Sequence, residues 1–341
     1  MDLALQLVCA RSFQASGATW NAPGEWATAK NELDRARLLN ACPVALRERV
    51  NLGYQHFRYI GQQARTFTFF QPDNAPFQQM LQPGETYRLD MVNSRPLGRA
   101  GNFERVTLAE WFTENPQGDA LVVRAGGVGD LLFMTPGLRE IKRRFPEAKV
   151  HLAVLAGNER VFTESGLAVT DMQAPYETAP HEFVMDLNYW VELAKGHETV
   201  SRPRLFAGVF GVDDAEDWQL SYATTAEERE WAREMIGEDE RLTVVVQPHG
   251  SCMQRHCTAA RMVEIIAGLR AAGLRVVTLG NYAPAGGWGA DLDLIGETNL
   301  AQCGAIIDVV DAYLGMDSGL THLANGLRKE TVALCGPMDA Q

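Results

Sequence analysis

From Ala120 onward the chain alternates short apolar runs with helix-length segments, and that alternation leaves room for little except parallel sheets flanked by helices. Residues 120–124 read as a buried strand. The glycine-rich turn Ala125-Gly-Gly-Val-Gly-Asp130 follows, and a helix then runs to Arg144. Residues 150–155 and 183–187 read as two further strands. A polar, acidic, helix-prone stretch at 224–240 separates this unit from a second one, which opens on a strand at 242–246. A helix at 259–272, a strand at 275–279 and the loop Gly286-Gly-Trp-Gly289 come next. The apolar run 305–314 reads as the last buried strand. It ends at the turn Asp317-Ser318-Gly319, where a helix opens with Thr321, His322 and Asn325 in its first turns. Two such units in series predict an α/β fold of two Rossmann-like domains facing across a cleft.

Residues 1–118 have another texture. Residues 3–13 alternate as a strand does, Ser16-Gly17 and Pro23-Gly24 are turn signals, and residues 29–40 carry Leu33, Ala36, Leu38 and Leu39 at helical spacing. Residues 66–70 and 86–92 read as strands around the turn Gln82-Pro-Gly84, and residues 108–112 are apolar and aromatic. The expected division is a small α+β module at 1–62, a β-rich module and linker at 63–118, and Rossmann-like domains at 119–225 and 240–341. The front third shows no catalytic constellation. Trp20, Trp26 and Trp111 are expected in a core or an interface.

With 46% apolar residues among 341, the chain can bury real cores. Its net charge of −12 argues against duplex nucleic acid as a main partner, because phosphate binding needs a basic face. The compact basic cluster Lys142, Arg143 and Arg144 reads as a solvated helix face. The six cysteines form no CxxC pair, and Cys252 and Cys257, near His249 and His256, match no standard zinc spacing. The expectation is reduced thiols and a cytoplasmic protein. The first residues lack a basic segment of the signal-peptide kind, and no 18-residue apolar stretch is present to span a membrane.

The chemistry is expected at the two strand–turn–helix motifs. Backbone N–H groups at a helix N-terminus, beside a glycine and a hydroxyl, attract phosphate. A dinucleotide fingerprint started at Gly127 would need its last glycine at Leu132, and the second strand ends in small residues where an acidic one is required, so a nicotinamide site is not expected.

The run from Arg124 to Pro146, containing Gly126, Gly127, Gly129 and Asp130, resembles the start of glycosyltransferase family 9, the ADP-heptose:lipopolysaccharide heptosyltransferases. So do Val246-Gln-Pro-His-Gly-Ser251 followed by Arg255, Asp293-Leu-Ile-Gly-Glu-Thr298, and Met316-Asp-Ser-Gly-Leu-Thr-His-Leu-Ala324 closing with Leu334-Cys-Gly-Pro337. Together they cover roughly residues 119–341. The resemblance implies a GT-B fold with the acceptor on the N-terminal domain and an ADP-sugar-like donor held by the C-terminal one. It implies inverting transfer of a heptose-like sugar to a saccharide acceptor, with Asp130 as the base. A helix N-cap is the other role open to Asp130. Ser251, Arg255, Asp317, Ser318, Gly319 and His322 would hold the diphosphate. No cofactor and no metal are expected, the Asp291-Leu-Asp293 triplet being read as structural. Departures from the family pattern are Arg255 where lysine is frequent, Cys257 where tryptophan is usual, Asn281 where an acid is common, and an end at Gln341 where relatives continue into helices.

The alternative is a non-catalytic GT-B scaffold. Residues up to Cys42-Pro43 weakly resemble small β-rich modules of tailed-phage proteins. On that reading residues 1–118 mediate self-assembly or contact protein partners, and the chain is a virion component.

Overall fold

The computed structural model describes residues 55–70, 76–89, 97, 101–171, 181–187, 199–250 and 257–335. The expectations for residues 1–54, the first strand and helix of the front module among them, lie outside the described residues.

Five antiparallel strands, in two sheets, form the described front. Strand β1 (Gln55–Tyr59) lies between β4 (Thr86–Leu89) and β5 (Phe103–Arg105), while β2 (Arg65–Phe70) and β3 (Pro76–Leu81) make a separate hairpin. Phe57, Tyr59, Phe69, Leu81, Leu89 and Phe103 share one core. The division expected at residue 62 therefore runs through a sheet. β1 hydrogen-bonds to strands on the far side of it, and its inward aromatic residues Phe57 and Tyr59 share a core with residues from that side. The aromatic stretch 108–112 becomes helix α1 (Leu108–Glu114), started by a capping box in which Thr107 and Glu110 satisfy each other's backbone N–H groups.

The first lobe is a four-stranded parallel sheet in the order β8-β7-β6-β9, from β6 (Asp119–Arg124), β7 (Lys149–Val154), β8 (Ala168–Asp171) and β9 (Phe183–Asp186). Helix α2 (Val128–Arg144) packs on α3 (Arg202–Phe210). The close approach requires Gly137, where a methyl group would sit 2.6 Å from the Phe210 ring. The basic cluster is a paired surface: Arg143 and Arg144 both bind Glu140, and Lys142 donates to the carbonyls of Ser165 and Gly166.

The second lobe is a five-stranded parallel sheet in the order β12-β11-β10-β13-β14. It comprises β10 (Thr243–Gln247), β11 (Arg275–Thr278), β12 (Leu292–Asp293), β13 (Ala312–Met316) and β14 (Glu330–Leu334). Helices α4 (Ala226–Ile236), α5 (Ala259–Ala271), α6 (Leu300–Val309) and α7 (Gly319–Gly326) complete it. The run 305–314 is not one strand. Its first half belongs to α6, which starts at an Asn299–Gln302 capping box, and only its end belongs to β13. The boundary lies at Val310-Asp311, where the Asp311 carboxylate accepts the Thr243 N–H and turns the chain back into the sheet. Uniform hydrophobicity had hidden the change of period, since a fully buried helix and a buried strand look alike over so few residues. The Asp291-Leu-Asp293 triplet does structural duty: Asp291 accepts the Val276 N–H and faces Arg241 and Arg270, while Asp293 accepts from Thr278 and the Ile295 N–H.

Residues 217–225 cross between the lobes. Arg139 of α2 donates to Ser221 and to the carbonyls of Asp217 and Gln219, and the Tyr222 N–H reaches Gly326 of α7. The Tyr222 ring lies against Gly304 of α6, and one apolar core runs through both lobes.

Candidate functional site

In both lobes the sheet order is that of a Rossmann half, and the first strand is flanked by the second on one side and the fourth on the other. The place where the order reverses is where open α/β sheets take ligands, at the strands' carboxyl ends. Both glycine turns stand there.

In the first lobe the turn after β6 leads into α2 through Gly127, the N-cap, which makes no side-chain capping bond. Asp130 is the third helical residue and does not cap, so the capping alternative for it does not hold. Its carboxylate instead faces Arg124, with Nη2 3.3 Å from Oδ2. Arg124 follows four apolar residues at the end of its strand and is only 4% exposed. Its Nη1 donates to the Leu187 carbonyl beyond β9 at 2.7 Å, and its guanidinium lies over the Phe206 ring. A buried guanidinium demands such partners, since an uncompensated charge there costs several kcal/mol, roughly 3–5 when a partner is removed. Gly126 leaves the room: a methyl group would lie 2.9 Å from the Asp130 Cβ and 3.0 Å from Arg124 Nε.

The second lobe repeats the device with neutral groups. Gln247, the last residue of β10, is buried and bridges to the fourth strand of its lobe. Its Oε1 accepts from the Ser318 hydroxyl at 2.5 Å and from the Tyr313 hydroxyl at 2.7 Å, and its Nε2 donates to the His249 carbonyl. Burial pushes the Tyr313 hydroxyl far up from its ordinary pKa, so it stays a donor. Ser318 is the N-cap of α7 by position, but its hydroxyl makes no capping bond. The turn therefore offers an anion the leading N–H groups of α7 rather than the serine proton.

The two turns meet. A methyl group on Gly129 would lie 2.9 Å from His322 Cδ2, and one on Gly319 would lie 3.1 Å from the Val128 Cβ. The His322 ring packs on Phe133 of α2 with centroids 4.5 Å apart, and its Nε2 stands 3.6 Å from the Asp317 carboxylate. Beside them, at the carboxyl ends of β10 and β11, the rings of His249 and Tyr282 lie 4.6 Å apart, with Tyr282 47% exposed.

Residues 176–341 match the model of glycosyltransferase family 9 (heptosyltransferase). The chain is glycosyltransferase family 9-like. E. coli ADP-heptose LPS heptosyltransferase II superposes with a TM-score of 0.54 at 15% identity, over 65% of this chain and 86% of its own. The glycosyl transferase family 9 protein of Veillonella parvula gives 0.53 at 15%, over 65% and 82%. TibC of enterotoxigenic E. coli, an iron-containing dodecameric glycosyltransferase, gives 0.52 at 15% identity over 82% of this chain and 73% of its own. That share exceeds what residues 119–341 make up, so the likeness reaches into the front of the chain. At these identities the likeness is one of fold: two Rossmann-like lobes of the GT-B kind. A search of curated protein sequences returns no match. Nothing in these matches supports a phage, virion or structural-protein role.

On this family 9-like scaffold, Gly126, Gly127, Gly129 and Asp130 come together with Asp317, Ser318, Gly319 and His322 at one junction. Ser251 and Arg255 lie outside the described residues. Arg124 and Gln247 carried no assigned role in the sequence, although both sat inside the matching motifs. Their signal was available: each is a polar residue closing a run of apolar residues. Among the described residues, no helix is long and apolar enough to cross a membrane. The described residues also line a cavity of ≈ 450 Å³ beside the middle of α2, with Phe162 and Tyr222 in its wall and Arg139, Lys142 and Arg143 on its edge.

Proposed function

We propose that the chain transfers a heptose-like sugar, with inversion, from an ADP-sugar-like donor to a hydroxyl of a saccharide acceptor. The observation that carries this reading is the meeting of two switch-point turns, one bringing the Asp130 carboxylate and the other the N-terminus of α7 with His322. In the step, Asp130 takes the acceptor O–H proton as the acceptor oxygen bonds to the sugar's anomeric carbon. The bond from that carbon to the diphosphate oxygen breaks, and its electron pair leaves with the nucleoside diphosphate. The N–H groups at the start of α7, with His322, Ser251 and Arg255, stabilise the departing charge. Donor side chains can supply this without a metal, and no cofactor takes part. Arg124 fixes the direction in which the Asp130 carboxylate points. Tyr282, half-exposed beside His249, offers the donor's base a stacking surface.

A second reading is favoured by one observation. The turns already touch through Gly129 and His322, and the Ser318 hydroxyl is committed to Gln247, as in a scaffold held shut. Calorimetry with ADP and UDP separates the two. The transferase binds a nucleoside diphosphate saturably, and Asp130→Asn retains that binding while transfer falls by about 10²–10⁴-fold. A chain that binds neither nucleotide is the scaffold.

A further inference from the structure

The opposite end of the first lobe's sheet holds a group of side chains that sugar transfer leaves unused. Asp119 opens β6, His151 lies on the neighbouring β7, and His181 precedes β9 on the other side of β6. The strand register pairs Leu121 with His151, and Asp119 lies two residues before Leu121, so Asp119 and His151 project from the same face of the sheet. One nitrogen from each histidine and one carboxylate oxygen all lie within 4.8 Å of one another. The two carboxylate oxygens are divided between the imidazoles. His151 Nε2 is 3.0 Å from Oδ2, and His181 Nδ1 is in contact with Oδ1. The rings themselves are 4.7 Å apart.

We propose that Asp119, His151 and His181 bind a divalent first-row transition ion, with zinc as the reference case. Two imidazole nitrogens and a carboxylate oxygen are a donor set suited to zinc, cobalt or ferrous iron and poorly suited to magnesium or calcium, which prefer oxygen alone. Ligands about 2.0–2.2 Å from one tetrahedral ion stand about 3.3 Å apart. The Asp119–His151 spacing is already of that size before any ion enters. The side chains are 13–33% exposed, so an ion has a path in and water can complete its shell. Glu182 brings a second carboxylate alongside: its Oε2 accepts the Asp119 N–H at 3.2 Å and adds negative charge where a cation would sit. The position is at the strands' amino ends, away from the turns, so the ion would clip the segment entering β9 to β6 and β7.

The test uses the full chain, stripped with a chelator and titrated with Co²⁺. We expect visible d–d absorption saturating at one equivalent, displacement by Zn²⁺, and a rise in melting temperature with Zn²⁺, since a ligand of the folded state alone stabilises it. His151→Gln and His181→Gln each weaken binding at least about tenfold, while Cys252→Ser with Cys257→Ser leaves it unchanged. Paramagnetic shifts of two imidazole proton sets in the unaltered chain report the site independently, should either histidine variant fail to fold. Absence of a saturable band in the unaltered chain overturns the proposal. So does a band that survives both histidine variants, or one lost only with the cysteines, and the Asp119–histidine contacts are then hydrogen bonds alone.

Discussion

Asp130 and Gly129 are neighbours with opposite tolerances. Asp130 faces Arg124 with part of its carboxylate exposed, so asparagine fits the same space and keeps an acceptor for the guanidinium, while removal of the charge alters the chemistry and costs some stability at Arg124. Gly129 has no such freedom, because His322 occupies the space a side chain would take. We predict that Gly129→Ala forces the two turns apart and costs about 1–3 kcal/mol of stability, measured by urea unfolding, together with weaker nucleoside diphosphate binding. If the variant is as stable as the parent, the lobes do not meet there. The motif showed in the sequence that a glycine-rich turn existed. It did not show which glycine faced the other lobe, because that depends on a residue almost two hundred positions away.

Helix starts and strand ends were unequally legible. The capping boxes at Thr107–Glu110, Thr225–Glu228 and Asn299–Gln302 are local signals, although of these three helices only the one in 224–240 was expected. The break between α6 and β13 was not legible, since both sides are apolar and the turning contact is from Asp311 to distant Thr243. The ties across the two switch points are equally non-local. Arg124 reaches past β9, and Gln247 joins Tyr313 to Ser318. Gln247→Leu should leave two buried hydroxyls without their acceptor. We predict a loss of about 1–3 kcal/mol and a disordered Ser318 turn, read as faster amide exchange at the start of α7. Unchanged exchange there would mean the network does not hold the turn.

At the scale of the molecule, the front module is joined to the first lobe through His56. Its ring stacks on Phe183 of β9, with centroids 4.4 Å apart, approaches Trp111 of α1, and lies 3.3 Å from the Val184 carbonyl. Burial lowers its pKa from 6.5 to about 4. The Val184 carbonyl opposes that shift, and the Arg88 charge reinforces it. The unfolded chain therefore binds this proton before the folded one does. Stability from this site is complete above pH 6.5 and declines as pH falls towards 4, by roughly 3 kcal/mol at most. Melting temperatures between those pH values should fall in the parent chain and flatten in His56→Phe; equal slopes would remove His56 as the cause. What the sequence by itself determined was the alternation of strands and helices, and with it the pair of parallel-sheet lobes and the four motifs that resemble family 9, because period and turn chemistry are properties of neighbouring residues. The tertiary structure alone decided which groups share the junction, that Arg124 stands behind Asp130, and that Asp119, His151 and His181 converge. Burial and pairing bring together residues that no local spacing relates.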